Sequence, residues 1–224
     1  SVIKTGEKYN STRGPIALTL QYACIIDHYS NGNSTDDALF RYATINCDFE
    51  DVNGKFESLK KLPLDLKMKW KLAIAKPISK EYGDIFPDNL DSSNPSKTIL
   101  VVKGAPECIL PRCKRILAAQ NSALGLKDIL PSDISWIHEL QESWSRQGQR
   151  VIVLAYAAYN CTESIGQLAD VEELTLIGCI GLLDPPREEA ARVVKQCREA
   201  GIRLLMIAGD FQTTASSVAH QVGI

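Results

Sequence analysis

Strand-forming segments that follow one another at very short spacing constrain this chain more than any other feature. Lys55 to Leu62 and Leu66 to Ala75 read as two strands with only Pro63-Leu64-Asp65 between them. A parallel pairing needs a crossover of a dozen residues or more, so such neighbours can pair only antiparallel. The β-branched run Thr98-Ile-Leu-Val-Val reads as a buried strand, Arg150 opens another in RVIVLAYAAY, and Leu174 to Leu183 gives a further one. Helices are expected over residues 15–29, from Ser34 or Thr35 onward, over Ile109 to Gln120 and over Pro131 to Gln147, with a turn at Asn31-Gly32-Asn33. In the second of these, Asp36 and Asp37 fall in the first turn, where the positive end of the helix favours acids. Residues 76–97 are rich in Pro, Ser, Asn and Asp and read as a surface loop. The expected fold is α+β, an antiparallel sheet flanked by helices.

The pattern changes at Asp184-Pro185-Pro186-Arg187. Two prolines stop the preceding strand and pre-set the first turn of a helix, Arg187 to Ala200, with an apolar face at Ala190, Val193, Val194 and Cys197. A strand over Ile202 to Ala208 is expected next, breaking at Gly209-Asp210 into a last helix. Strand and helix now alternate, as in α/β folds. We therefore divide the chain into 1–184 and 185–224, the second part too short to bury a core alone.

Composition excludes several functions. Apolar residues at 45%, charged residues at 23% and a net charge of -2 describe an ordinary globular chain, with no electrostatic case for nucleic acid or an anionic membrane surface. The longest uncharged apolar run, LTLIGCIGLL, is ten residues, well short of a membrane span, and no signal peptide opens the sequence. Seven cysteines (Cys24, Cys47, Cys108, Cys113, Cys161, Cys179 and Cys197) form no Cys-x-x-Cys pair and read as reduced thiols in a cytosolic setting, with no metal set among them. The Asn-x-Ser/Thr triplets at Asn10, Asn33 and Asn160 carry no meaning without a secretory route. No Walker loop, no G-x-G-x-x-G and no Ser/His/Asp elbow is present, and His28, His138 and His220 stand away from carboxylate clusters.

Two lysine patterns carry chemistry. In VVKGAPE the strand must end at Gly104 and Pro106, which leaves Lys103 at its exit, stem covered and ammonium free to reach a cleft. In Lys67-Met68-Lys69-Trp70-Lys71-Leu72, alternation places three lysines on one strand face and Met68, Trp70 and Leu72 on the other. Such a row is the mark either of a solvated or edge strand or of a cationic wall for a polyanion such as a nucleotide phosphate.

VVKGAPECIL resembles the KGAPE strand of the P-type cation-transporting ATPases, and GCIGLLDPPREEAARVVKQCREAGIRLLMIAGD resembles their D-P-P-R hinge, helix and M-x-T-G-D strand. S-T-D-D-A-L is similar to that family's (D/E)-x-(T/S)-E-x-A-L helix start, and the spacing of the blocks fits, most closely in the type II pumps. The resemblance covers the whole chain. It implies the nucleotide-binding domain followed by the beginning of a haloacid-dehalogenase-like phosphorylation domain, joined at Asp184, Pro185, Pro186 and Arg187. It implies ATP, with magnesium carried on the nucleotide, as the ligand. Lys103, Lys69 and Arg150 fall on the family's pocket cations, with Lys71 beside them; Gly104 lets backbone approach the nucleotide; Asp36 stands at the adenine-contacting glutamate; and Gly209-Asp210 belongs to the loop that meets the phosphoryl group. The implied partners are the remaining phosphorylation, actuator and membrane domains of a pump, on the cytoplasmic side of a membrane, with this portion itself soluble and not inserted.

Departures from the family pattern accompany the match. Leu64 stands where the family stacks a phenylalanine on adenine, Ala208 replaces the Thr of T-G-D, and Asp36 is one carbon shorter than the family's glutamate. Of D-K-T-G-T only Lys4-Thr5-Gly6 is echoed, with Ile3 at the place of the nucleophilic aspartate, and we read that echo as coincidence. Neither phosphorylation nor turnover is expected from this portion alone, since the carboxylate nucleophile and the downstream metal loop are not in it. The alternative is a degenerate interaction module that keeps the fold and has lost the nucleotide.

Overall fold

The computed structural model describes residues 2–4, 15–26, 34–44, 50, 54–65, 69–78, 86, 97–120, 123–160, 171 and 173–224. Strands β1 (Val2–Lys4), β2 (Phe56–Asp65), β3 (Trp70–Pro77), β4 (Lys97–Gly104), β5 (Cys113–Gln120), β6 (Ala123–Asp128), β7 (Gln149–Asn160) and β8 (Leu174–Leu183) form one sheet. Its order is β2-β3-β4-β7-β8-β5-β6, and β1 pairs with the end of β8. Helices α1 (Pro15–Ile26), α2 (Ser34–Thr44), α3 (Pro106–Ile109), α4 (Pro131–Ser145), α5 (Ala190–Glu199) and α6 (Gln212–Val222), with a 3-10 turn at Leu110–Arg112 after α3, accompany the sheet. The fold is α+β, and the short connections pair antiparallel as the spacing requires. The parallel contact is β5 against β8, whose separation in sequence leaves room for a crossover.

Strand alternation builds a core on each face. Ile99 and Val101 of β4, Ile152, Leu154 and Tyr156 of β7, and Ala73 and Ala75 of β3 pack toward α1 and α2. Leu100 and Val102, Val153 and Ala155, and Trp70, Leu72 and Ile74 of the same strands pack on the other side with Ile109 and Ile137. Because both faces are covered, the central strands read as continuous apolar runs instead of alternating with polar residues. Helix α4 begins at Pro131, and the Leu130 N–H donates to Asp133 Oδ2 at 3.0 Å, which fixes its first turn.

The structure corrects three expectations. Residues 113–120 form β5, not the end of a helix; the helix started by Pro106 stops at Ile109, and pairing with β6 and β8 overrides the helix-favouring composition of Lys114 to Gln120. Ile202 to Ala208 joins no ladder, so residues 184–224 hold two helices and no strand, and the first of these starts at Ala190, not Arg187. Within the stretch read as a surface loop, Phe86 is fully buried and meets Phe56 and Tyr156 edge to face at 5.9 and 5.1 Å. Burying one phenylalanine contributes about 1.5–3 kcal/mol, enough to tether a polar segment. Residues 76–77 and 97 of that stretch belong to β3 and β4, and the turn at residues 31–33, residues 79–85 and 87–96, Thr5, Gly6, Cys47, Cys161, Lys67 and Met68 lie outside the described residues.

Helix α6 is held to the sheet domain by polar contacts. Thr214 Oγ1 donates to the Gln149 carbonyl at 3.1 Å, Ser217 Oγ to the Arg146 carbonyl at 2.9 Å, and Thr213 Oγ1 to Glu142 at 3.2 Å. Helix α5 buries none of its residues.

Candidate functional site

Register creates the site. Lys71 of β3 lies directly opposite Lys103 of β4, and like charges facing each other across two strands are destabilising unless compensated. Both share strand parity with Ala73, Ala75, Ile99 and Val101, and so point to the face carrying α2. Asp36, in the first turn of α2, enters between them. Lys71 Nζ reaches Asp36 Oδ2 at 2.5 Å and Lys103 Nζ reaches Oδ1 at 2.7 Å, with side-chain exposures of only 6, 4 and 5% for Lys71, Lys103 and Asp36. Burial acts to raise the Asp36 pKa, but Lys103 and then Lys71 more than offset this and hold the carboxyl below its ordinary range.

The turn after β4 is fitted against the start of β3. A Cβ on Gly104 would stand 2.5 Å from the Lys69 carbonyl oxygen and 2.7 Å from Trp70 Cβ, so only glycine fits. The Ala105 N–H donates to the Lys69 carbonyl at 3.1 Å. Lys69 itself has φ 53°, a left-handed turn residue outside the strand. Its ammonium is exposed and pairs with Glu107 at 3.4 Å. The expected row of three lysines on one face therefore does not form: Lys71 is buried on the α2 side, and Lys69 leaves the row at the turn.

Arg150, at the start of β7, shares a face with Ile152 and Leu154 but lies beyond the last residue of β4, since Gly104 pairs with Val153. Its Nη2 and Nε meet Asp210 Oδ1 at 2.6 and 2.7 Å. Asp210 belongs to the loop entering α6, so the carboxy-terminal part closes one wall of the site.

These groups surround one cleft of about 750 Å³. Asp36, Lys69, Lys71, Lys103, Gly104, Arg150, Gly209 and Asp210 all line it. Ala208 does not; it is exposed beside the cleft. The Leu64 side chain lies outside the described residues. Asp184, Pro185 and Arg187 are exposed, Pro186 is half-buried, and none of the four lines the cleft. Sequence reasoning missed Gln141 and Ser145, buried polar residues of α4 that reach the cleft. Their signal was legible: both follow Ile137 at four-residue steps, polar positions on an apolar helix face.

Fold and cleft together define an α+β domain with a cationic, partly apolar cleft. Residues 19–189 match the family model described as P-type ATPase, cytoplasmic domain N, and the chain belongs to the P-type cation ATPase family. It is 41% identical over 135 residues to the endoplasmic reticulum calcium ATPase of Aspergillus fumigatus, covering 56% of this chain and 14% of that protein. It is 26% identical over 194 residues to a calcium-transporting ATPase of Listeria monocytogenes, covering 86% and 20%. It is 30% identical over 205 residues to the potassium-transporting ATPase alpha chain 1 of Xenopus laevis, covering 86% and 18%. The chain thus spans no more than a fifth of the length of these relatives. Among the described residues no helix is long and apolar enough to cross a membrane.

Proposed function

We propose that this chain is the ATP-holding module of a P-type cation pump, at the cytoplasmic face of a membrane. The observation that carries the reading is the elongated placement of charge in one cleft. Lys71 and Lys103 mark one end, and Arg150 the other. Lys103 pairs across strands with Leu154, and that position lies four strand steps from Arg150 along β7, roughly 14 Å at strand rise. A nucleoside triphosphate is an extended ligand with a hydrogen-bonding base at one end and phosphates at the other. The Arg150 guanidinium suits phosphate oxygens. Magnesium would enter on the triphosphate's own oxygens, since no cluster of three His, Cys, Asp or Glu side chains gathers among the described residues.

In the pump the module would present ATP to an aspartate of the phosphorylation domain, with 1–184 and 185–224 as its two portions and residues 184–187 as the hinge between them. Actuator and membrane domains would be its further partners. Positioning and electrostatic stabilisation would be its whole contribution. Calorimetric titration with magnesium-ATP tests this. Saturable binding, weakened about tenfold or more in Lys103→Ala and in Arg150→Ala, is expected; two variants that bind like the parent overturn the site. Leu64, with no aromatic face to offer adenine, favours a second reading as an interaction module. No saturable response at millimolar ATP would select it.

A further inference from the structure

We propose that Gln141 and Ser145 of α4 recognise the sugar of the bound nucleotide, so that the cleft prefers a ribonucleotide to one lacking the 2′ and 3′ hydroxyls. The inference rests on the nucleotide-binding reading above and names the part of the ligand that this wall contacts. The two residues stand one helical turn apart, line the cleft, and are 6 and 1% exposed. A serine hydroxyl within a helix commonly donates to the carbonyl four residues back. The Ser145 Oγ does not: it is buried without a hydrogen-bond partner among the described residues. A buried hydroxyl left unpaired costs folding free energy, and a ligand group that pairs with it recovers that cost.

Position and chemistry together select the sugar. The Gly148 N–H donates to the Ser145 carbonyl at 2.9 Å and Gly148 takes φ 77°, so the chain turns at once from α4 into β7 and sets Ser145 beside that strand. Along β7, Val151 and Ile152 follow Arg150 toward Leu154, which lies opposite Lys103, and both line the cleft. They fill the interval between its two charged ends, and Gln141 and Ser145, from the helix packed on β7, add polar groups without charge. In an extended nucleoside triphosphate the sugar is what separates base from phosphates. A phosphate oxygen only accepts, and would meet the Gln141 amide oxygen as well as its nitrogen. A sugar hydroxyl both donates and accepts, as a serine hydroxyl and an amide do. The pair therefore matches a diol and leaves the phosphates to Arg150.

The 2′,3′-dideoxy form of ATP keeps the base and the phosphates and lacks only the sugar hydroxyls. The complete chain is titrated calorimetrically with each nucleotide in the presence of magnesium. ATP is expected to bind about tenfold tighter, because a polar site denied its hydroxyl partner rejects the analogue. Ser145→Ala and Gln141→Leu should each narrow that ratio, and together bring it to parity, by weakening ATP and leaving the dideoxy nucleotide unchanged. Residues that merely support the fold would weaken both nucleotides alike, and that outcome overturns the assignment. Ser145→Ala removes an oxygen with no partner, so its urea midpoint should match or exceed the parent's. Should a variant fold poorly, the parent chain still decides. The side-chain amide NMR signals of Gln141 should move with ATP and stay in place with the dideoxy nucleotide; the same response to both overturns the inference. Equal affinity of the parent for the two nucleotides overturns it as well and leaves the nucleotide site standing. Folded protein that binds neither overturns both readings.

Discussion

Arg150 and Asp210, sixty positions apart, are joined through a single carboxylate oxygen that accepts from both Nη2 and Nε. The pair closes the carboxy-terminal loop over the mouth of the cleft. At 53 and 31% exposure its worth to folding is small, under about 1 kcal/mol. Asp210→Asn should therefore move the urea midpoint only slightly. On the proposed function it also removes a competitor for the Arg150 guanidinium, and ATP affinity should rise several-fold. A large loss of stability without a gain in affinity would contradict both expectations.

Asp36→Ala should be severe. Removing the shared partner leaves two buried ammonium groups facing each other across β3 and β4. Breaking a buried ion pair from one side costs about 3–5 kcal/mol. Denaturant unfolding checks this, and a loss below about 1 kcal/mol would show that the cluster opens to water.

Acid should weaken the fold through the same carboxyl. Asp36 is held below its ordinary value of 3.8, so the folded state binds its proton less readily than the unfolded chain does. Its contribution is complete above that value and is lost as pH falls through the lower folded-state pKa. Stability measured from pH 6 down to pH 2 should fall more steeply below pH 4 in the parent chain than in Asp36→Asn. Equal slopes would remove Asp36 from the account.

Gly104→Ala tests the close approach at the strand exit. The new methyl would collide with backbone at Lys69 and Trp70, which cannot swing aside as a side-chain tip could. A loss of about 1–3 kcal/mol is expected, read from thermal or urea unfolding. A neutral outcome would show that the β3 start shifts freely.

Much of the sheet was legible because local signals agreed. VVKGAPE joins a β-branched run to Gly and Pro, and β4 ends at Gly104, where those residues require it. Helix α4 likewise begins at Pro131, where the expected helix starts. Two readings failed where pairing is nonlocal. Residues 113–120 carry Ala, Leu, Lys, Arg and Gln, all good helix formers, and become a strand through neighbours on either side. Ile202 to Ala208 has strand composition and no adjacent strand in the sheet, so composition alone could not make a ladder. The cleft was legible in part: Lys103, Lys69 and Arg150 all line it. The clamp on Asp36 was not, because it depends on a register between β3 and β4 that no short window of sequence contains.

The segment that failed to find a ladder has a further effect. Leu205 and Ile207 stand 75 and 95% exposed in a segment that joins no helix or strand. A stretch this apolar, carrying one arginine and no proline, is a template on which another chain can add itself as a strand. Concentrated solutions are therefore expected to associate through 202–207, and a charged residue at position 207 should suppress that association.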